Sequence, residues 1–361
     1  MDAADLDYHL PDAAIAQTPV EPRDSARLLV ATGHGLEHRV VADLDSLLDP
    51  DDVLVVNDTK VIPARLHLRK PTGGAVELLL LEHRGNGEWE ALVRPSRRVP
   101  PGTVLSVADA AATALAPAMA VTVGEVLGDD GRRSVRITGP ITTEVEDLAW
   151  LDGVGEVPLP PYVHEPLVDP GRYQTVFAER PGSVAAPTAG LHLTDELLER
   201  CRQRGVTVVR VELVVGLGTF RPITADRVED HPMHAEHYRI PAATAAVLAD
   251  RIAPGGAGEV AGRVVAVGTT VVRALESWAA TGDLEGHTRL FIHGRYPFAL
   301  VERLMTNFHV PRSSLLALVE AFAGPGWRHL YDEALRERYR FLSFGDAMLL
   351  DRDALREDAH P

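Results

Sequence analysis

The sequence predicts an α/β protein. A larger, discontinuous α/β domain with a parallel-rich sheet takes residues 1–60 and 155–361, and a small antiparallel β-barrel is inserted at 61–154. Three observations point there. In the second half of the chain, apolar strand-like runs alternate with helical patterns, which implies a mostly parallel sheet covered on both faces. The stretch after Lys60 holds short β-rich runs at roughly ten-residue spacing, the texture of a small barrel or sandwich. One apolar strand precedes that stretch and joins the later alternation most simply. With 361 residues, 45% hydrophobic and 24% charged, the chain has material for both domains.

In order, Asp52-Val53-Leu54-Val55-Val56-Asn57 reads as a buried strand ending in a polar turn. Val76–Glu82, Trp89–Val93, Val104–Val107, Val121–Val126 and Ser134–Thr138 read as barrel strands, punctuated by Gly73-Gly74, Gly85-Asn86-Gly87 and Pro100-Pro101-Gly102. The Ala-rich 108–120 stretch is the only biased tract, and Leu159-Pro160-Pro161-Tyr162 reads as the exit linker. Thr194 caps a helix to Arg204, with Leu197, Leu198 and Cys201 on one face and Gly205 as the stop. Val206–Val215, Arg263–Val267 and Leu290–His293 read as strands. Pro241–Ile252, Thr270–Ala280, Ser313–Phe322 and Tyr331–Phe341 read as helices.

Composition narrows the function classes. No apolar run approaches the ~18 residues of a membrane span, and Met1-Asp2-Ala3-Ala4-Asp5 is acidic where a signal peptide is basic. A single cysteine, Cys201, allows neither an internal disulfide nor a cysteine zinc site and fits a reducing compartment. A cytoplasmic protein is expected. The net charge of -16 argues against nonspecific coating of nucleic acid. Yet residues 60–102 carry 8 Lys/Arg against 4 Glu, whereas residues 1–59 carry 13 Asp/Glu against 3 Arg. That basic segment fits a phosphate backbone; an exposed sheet that happens to be Arg-rich is the plainer alternative. The chain has only 2 Lys and three Asn, so Asn57, Lys60 and Asn307 mark places where an amide or ammonium is needed.

Val264-Val265-Ala266-Val267-Gly268-Thr269-Thr270 runs an apolar strand into a turn at a helix start, where α/β sheets hold ligands. Neither G-x-G-x-x-G nor a P-loop is present, so dinucleotide and P-loop chemistry are unsupported. The small-residue loop 183–192, Ser183 to His192, lets a flat ligand lie against backbone and is no G-x-S-x-G elbow. His231-Pro232-Met233-His234-Ala235-Glu236 concentrates imidazoles and a carboxylate. H-E-x-x-H is absent and Pro232 disfavours one helical face, leaving metal binding, general-base catalysis and a structural turn open. Thr306–Ser314 reads as a polar loop whose Arg312 suits an anion, and Leu217–Pro222 as a similar strand-end loop.

Together these runs resemble the S-adenosylmethionine:tRNA ribosyltransferase-isomerases of queuosine biosynthesis. The resemblance is carried by Tyr8–Pro11 with Ile15–Gln17, Asn57–Arg65, Leu159–Tyr162, Tyr173–Val176, Val184–His192, Gly216–Phe220, His231–Glu236, Val264–Thr270 with Arg273–Ser277, Thr306–Pro311 and Tyr339–Met348, in order along almost the whole chain. It implies the barrel-bearing α/β fold and a metal-free reaction. The ribosyl part of S-adenosylmethionine, a co-substrate, moves to 7-aminomethyl-7-deazaguanine at the tRNA wobble position. It rearranges to epoxyqueuosine, with loss of adenine and methionine. The expected partners are tRNA, through its anticodon loop, and S-adenosylmethionine, with the protein a monomer.

The chemistry asks for a base at the C5′ protons acidified by the sulfonium and for help to departing adenine. His192, His234, Glu236 and His309 form the pool of acids and bases. Thr188, Gly190, Gly268, Thr269, Thr270 and Arg312 are the expected co-substrate contacts; Lys60, Arg65, Arg94, Arg97 and Arg98 are the expected RNA contacts. Three departures from the family's pattern fall in presumed cleft loops: Val214 replaces a histidine, Val271 a serine, and His293-Gly294-Arg295-Tyr296 a Pro-Gly-aromatic turn. They keep two alternatives open, a same-fold enzyme acting on another acceptor and a noncatalytic tRNA-binding paralogue.

Overall fold

The computed structural model describes residues 1–107, 119–128, 131–139, 144–216, 222–252 and 261–356. Most of the Ala-rich 108–120 stretch and of the Leu217–Pro222 loop lies outside the described residues. The chain divides into two compact units. One comprises Met1–Thr59, Pro160–Arg180 and Ala186–Pro361, the other Lys60–Leu159 and Pro181–Ala185.

The strands, in chain order, are β1 (Arg27–Thr32), β2 (Gly35–Val40), β3 (Val53–Asn57), β4 (Thr59–Val61), β5 (Arg65–Arg69), β6 (Ala75–Gly85), β7 (Glu88–Arg94), β8 (Val104–Val107) and β9 (Ala120–Val126). They continue as β10 (Arg132–Thr138), β11 (Arg180–Ser183), β12 (Thr207–Leu213), β13 (Glu236–Arg239), β14 (Val264–Val267), β15 (Glu285–Thr288), β16 (Arg303–Asn307) and β17 (Ala347–Asp351). The helices are α1 (Leu44–Leu47), α2 (Glu144–Val154), α3 (Asp195–Gln203), α4 (Ala242–Ile252), α5 (Thr269–Thr281), α6 (Ser314–Ala323) and α7 (Trp327–Arg336).

The first unit is built on a nine-stranded sheet in the order β15-β13-β12-β3-β14-β16-β17-β1-β2. Its centre, β12-β3-β14-β16, is parallel, with Val55 beside Val209 and Ala266. β3, β14 and β16 are buried along their whole length, as strands covered on both faces must be. β13 and β15 pair antiparallel at one edge, β17 runs antiparallel to β16, and the β1–β2 hairpin closes the other edge. Leu54, Val56, Val265, Val267, Met305 and Leu349 on one face pack with Leu193, Leu197, Leu198 and Cys201 into a single core cluster. Thr194 Oγ1 accepts from the Leu197 N–H at 3.1 Å and starts α3; Ser313 starts α6 in the same way at 3.2 Å.

The second unit holds a closed barrel, β10-β7-β6-β5-β8-β9, with antiparallel pairing throughout. Along β5 and β10 buried and more exposed residues alternate, so that Leu66, Leu68, Val135 and Ile137 point inward.

Two expectations need correction. Leu290–His293 is not a strand. The Leu290 N–H donates to Thr288 Oγ1 and its carbonyl accepts from Arg273 Nε, both at 3.0 Å, so side chains take the groups a ladder would use. The edge strand is instead Glu285–Thr288. The last helix runs Trp327–Arg336 rather than Tyr331–Phe341. At Arg338 (φ 56°) the chain turns left-handed, the Tyr339 N–H donates to the Ala334 carbonyl, and Phe341 packs on Phe308 with ring centroids 4.7 Å apart. Among the described residues no helix is long and apolar enough to cross a membrane.

Candidate active site

Because β12, β3, β14 and β16 run parallel, their carboxyl ends share one edge of the sheet, where ligands bind in folds of this kind. An open cleft lies there, lined by Ala186–Ala189, Val215, Gly268–Thr270, Thr306, Asn307, His309 and Leu315. A neighbouring cleft shares Thr188, Asn307, His309 and Leu315 and adds Tyr162 and Ser343. Gly268, at φ 95°, ends β14 in a backbone conformation that side chains resist. A Cβ there would sit 3.6 Å from both Ala189 Cβ and Thr270 Oγ1, so the bare backbone stays open to the cleft.

Two asparagines hold the lining hydroxyls, Asn307 from within the lining and Asn57 from behind it. Asn57, at the end of β3, accepts from the Thr59 and Leu213 N–H groups through Oδ1 (3.1 and 3.3 Å). Its Nδ2 donates to the Leu213 carbonyl (3.0 Å) and to Thr270 Oγ1 (3.3 Å). Asn307, at the end of β16, accepts from Thr188 Oγ1 (2.8 Å). Its Nδ2 donates to the Leu342 carbonyl (3.3 Å) and to His192 Nε2 (3.1 Å).

Among the described residues lining the first cleft, His309 is the ionisable side chain. Its Nε2 is 3.0 Å from Thr306 Oγ1, its N–H donates to the Tyr331 hydroxyl, and its carbonyl accepts from Tyr8. Burial alone lowers its pKa to about 3. His192 is lowered to about 4, first by burial and then by Arg172, Arg340 and Arg23. Both are neutral at physiological pH. Unfolded histidines titrate near 6.5, so between that value and about 4 the unfolded chain binds more protons than the folded one. Stability should therefore fall with pH below 6.5, by about 2 kcal/mol for each histidine between pH 7 and pH 5. Urea unfolding at the two pH values, with His192→Asn as comparison, measures that share.

The other expected residues scatter. Glu236 is buried and ion-paired with Arg273, accepts from the Gly216 N–H at 3.2 Å, and begins β13. Burial pulls the Arg273 pKa down to about 10, so it remains a cation at neutral pH. His234 is exposed in the loop before β13, and Arg312 (φ 54°) lies outside the cleft lining, its backbone bonded to Leu6 and Ile223. His192 stands behind Asn307, with the lone pair of Nε2 taken by the amide. Gly190 faces the protein instead: a Cβ there would come within 2.8 Å of Phe177 Cζ. Among the described residues no group of three His, Cys, Asp or Glu is placed to hold a metal ion.

Lys60, Arg94, Arg97 and Arg98 are exposed on the second unit, and Arg65 is half-buried on β5. The expectation that Val214, Val271 and residues 293–296 lie in cleft loops is corrected. Val271 is buried inside α5, the Val214 N–H pairs with the His237 carbonyl, and none of these residues lines either cleft. Sequence reasoning left Asn57, Thr306 and Asn307 out of the site, although the scarcity of asparagine marked two of them. Arg273 opened one of the runs that carried the family resemblance, but nothing in the sequence showed its pairing with Glu236.

Comparison with known proteins agrees with this geometry. Residues 3–350 match the family model described as "Queuosine biosynthesis protein". An S-adenosylmethionine:tRNA ribosyltransferase-isomerase of Rubrobacter xylanophilus is 50% identical over 349 residues, 96% of each chain. One from Thermus thermophilus is 51% identical over 352 residues, 95% of this chain and 98% of the relative. The crystal structure of an S-adenosylmethionine tRNA ribosyltransferase from Thermotoga maritima, 36% identical, covers 96% of this chain and 99% of its own with a TM-score of 0.52. With the match running from the first 3-10 turn to β17, the chain belongs to the queuosine biosynthesis family of S-adenosylmethionine:tRNA ribosyltransferase-isomerases.

Proposed function

We propose that this enzyme transfers and isomerises the ribosyl moiety of S-adenosylmethionine onto 7-aminomethyl-7-deazaguanine at the tRNA wobble position, releasing adenine and methionine and leaving epoxyqueuosine. The observation that carries the reading is identity of about half, sustained over 95% or more of the chain, to relatives of that name. The cleft supports it chemically. Its described lining residues include no Lys or Arg, so nothing there repels a sulfonium.

In this reading Thr188, Gly268, Thr269 and Thr270 hold the co-substrate, and His309, neutral before the reaction, accepts the proton that leaves C5′ and becomes the imidazolium. Residues 61–154 form the inserted RNA module, with 1–60 and 155–361 as the catalytic body. Lys60, Arg65, Arg94, Arg97 and Arg98 take RNA phosphates, and the modified base is swung out of an anticodon loop that is already partly unstacked. The enzyme works as a cytoplasmic monomer, without a metal.

Mass spectrometry of one reaction tests this, with the protein, S-adenosylmethionine and tRNA carrying the deazaguanine precursor. Adenine, methionine and epoxyqueuosine together are the expected products. Adenine release without epoxyqueuosine would point to another acceptor, S-adenosylhomocysteine to methyl transfer, and tRNA binding without adenine release to a noncatalytic protein.

A further inference from the structure

The two asparagines do more than fill space, because their bonds leave no freedom in how two of the cleft's hydroxyls, those of Thr188 and Thr270, are polarised. Backbone N–H groups only donate and carbonyls only accept. At Asn57, the Thr59 and Leu213 N–H groups fix Oδ1, and the Leu213 carbonyl fixes Nδ2. Nδ2 therefore donates to Thr270 Oγ1, whose own proton is left for the cleft. At Asn307 the Leu342 carbonyl fixes Nδ2, so Oδ1 must accept and the Thr188 hydroxyl must be the donor. Thr188 then offers only a lone pair to the cleft. The His192 imidazole agrees with this assignment, since its Nε2 receives the same Nδ2.

Both threonines line the same cleft, one as an acceptor and the other as a donor. A ribose hydroxyl can turn to suit either polarity, so fixed polarity discriminates only against groups whose own polarity is fixed. In S-adenosylmethionine the α-ammonium and α-carboxylate are fixed too, but they are full charges and no ionised side chain among the described lining residues meets them; the uncharged group of fixed polarity is the amidine edge of adenine, where an amino donor sits beside a ring-nitrogen acceptor. We infer that Asn57 and Asn307 are positioning residues that set Thr270 as donor and Thr188 as acceptor, so that the cleft reads the amino group and an adjacent ring nitrogen of adenine. The inference rests on S-adenosylmethionine being the co-substrate. It adds a role to the Thr270 bond: donation to a ring nitrogen also favours adenine as a leaving group.

The test is equilibrium binding, by calorimetry, of S-adenosylmethionine and three analogues: N6,N6-dimethyl, 1-deaza and 7-deaza. In the wild type the dimethyl analogue should bind roughly tenfold more weakly. Thr188→Val should weaken S-adenosylmethionine by the same factor and the dimethyl analogue no further. One deaza analogue should show the same non-additivity with Thr270→Val and with Asn57→Asp, which lets the Thr270 hydroxyl turn away to donate to the carboxylate. Thr188→Ser and Thr270→Ser keep the hydroxyl and should bind like the wild type, a rescue that a packing role would not give. Losses that multiply between variant and analogue, or analogues that bind like S-adenosylmethionine, would overturn the inference alone. A folded wild type that binds no S-adenosylmethionine would overturn it together with the proposed function.

Discussion

His309→Gln is expected to lower kcat by roughly 10²- to 10⁴-fold, the usual worth of a positioned general base. Glutamine keeps polar volume and an N–H near Thr306 but has no basic nitrogen. Among the described residues of the cleft lining His309 is the ionisable one, so none of those described neighbours replaces it. The KM for S-adenosylmethionine should change little if the imidazole acts in proton transfer rather than in binding. The pH profile gives a second check. Burial holds His309 neutral down to about 3, so kcat should lack the acid limb near 6.5 that an ordinary histidine base shows. Single-turnover rates of the variant, and kcat measured from pH 5 to 8, decide both points. An unchanged kcat would remove His309 from the chemistry.

The largest effect on stability is expected at the Arg273–Glu236 pair. Each side chain is 6% exposed, and Arg273 also donates to the Leu290 carbonyl. Glu236→Gln leaves a buried guanidinium without its counter-charge, and Arg273→Met strands the carboxylate. Each should cost about 3–5 kcal/mol, because desolvation of the remaining ion is no longer offset. The double variant Glu236→Gln/Arg273→Met should cost clearly less than the sum, since no unpaired charge remains. Urea unfolding of the four proteins closes the cycle. Losses below about 1 kcal/mol in the single variants would mean that water reaches the pair.

What could be read from the residues depended on how far they satisfy themselves locally. Thr194 with Leu197, Leu198 and Cys201, or Val264–Val267 running into Gly268, show their structure in a few neighbouring letters. One strand that escaped sequence reading, β16, has polar residues in buried places. β16 begins at Arg303, whose Nη1 donates to the Leu47 carbonyl at 2.6 Å, and ends at Asn307; both are buried against an expectation of polar surface. Residues 290–293 failed the other way, as apolar residues whose backbone is satisfied by side chains brought from α5 and the end of β15. The family motifs located the cleft loops but did not rank the residues within them. Glu236 and His192 looked like catalytic candidates because an isolated sequence cannot show that Arg273 or Asn307 already holds them. The asparagines were conspicuous by rarity, yet their effect lies in bonds to carbonyls 35 and 156 positions away.

The position of β17 between β16 and β1 governs how the sheet can be made. β1 is the first of the described strands, yet its parallel neighbour is the last of them, Leu28 resting beside Ala347. Until that strand leaves the ribosome, the β1–β2 hairpin and the β16 edge both expose unpaired backbone. The barrel, by contrast, pairs within residues 65–138 and can close early. Completion of the catalytic sheet therefore depends on pairing between distant parts of the sequence, a long-range contact that loop closure makes slow to form. During that interval a nascent chain depends on holding its two apolar edges apart from other chains.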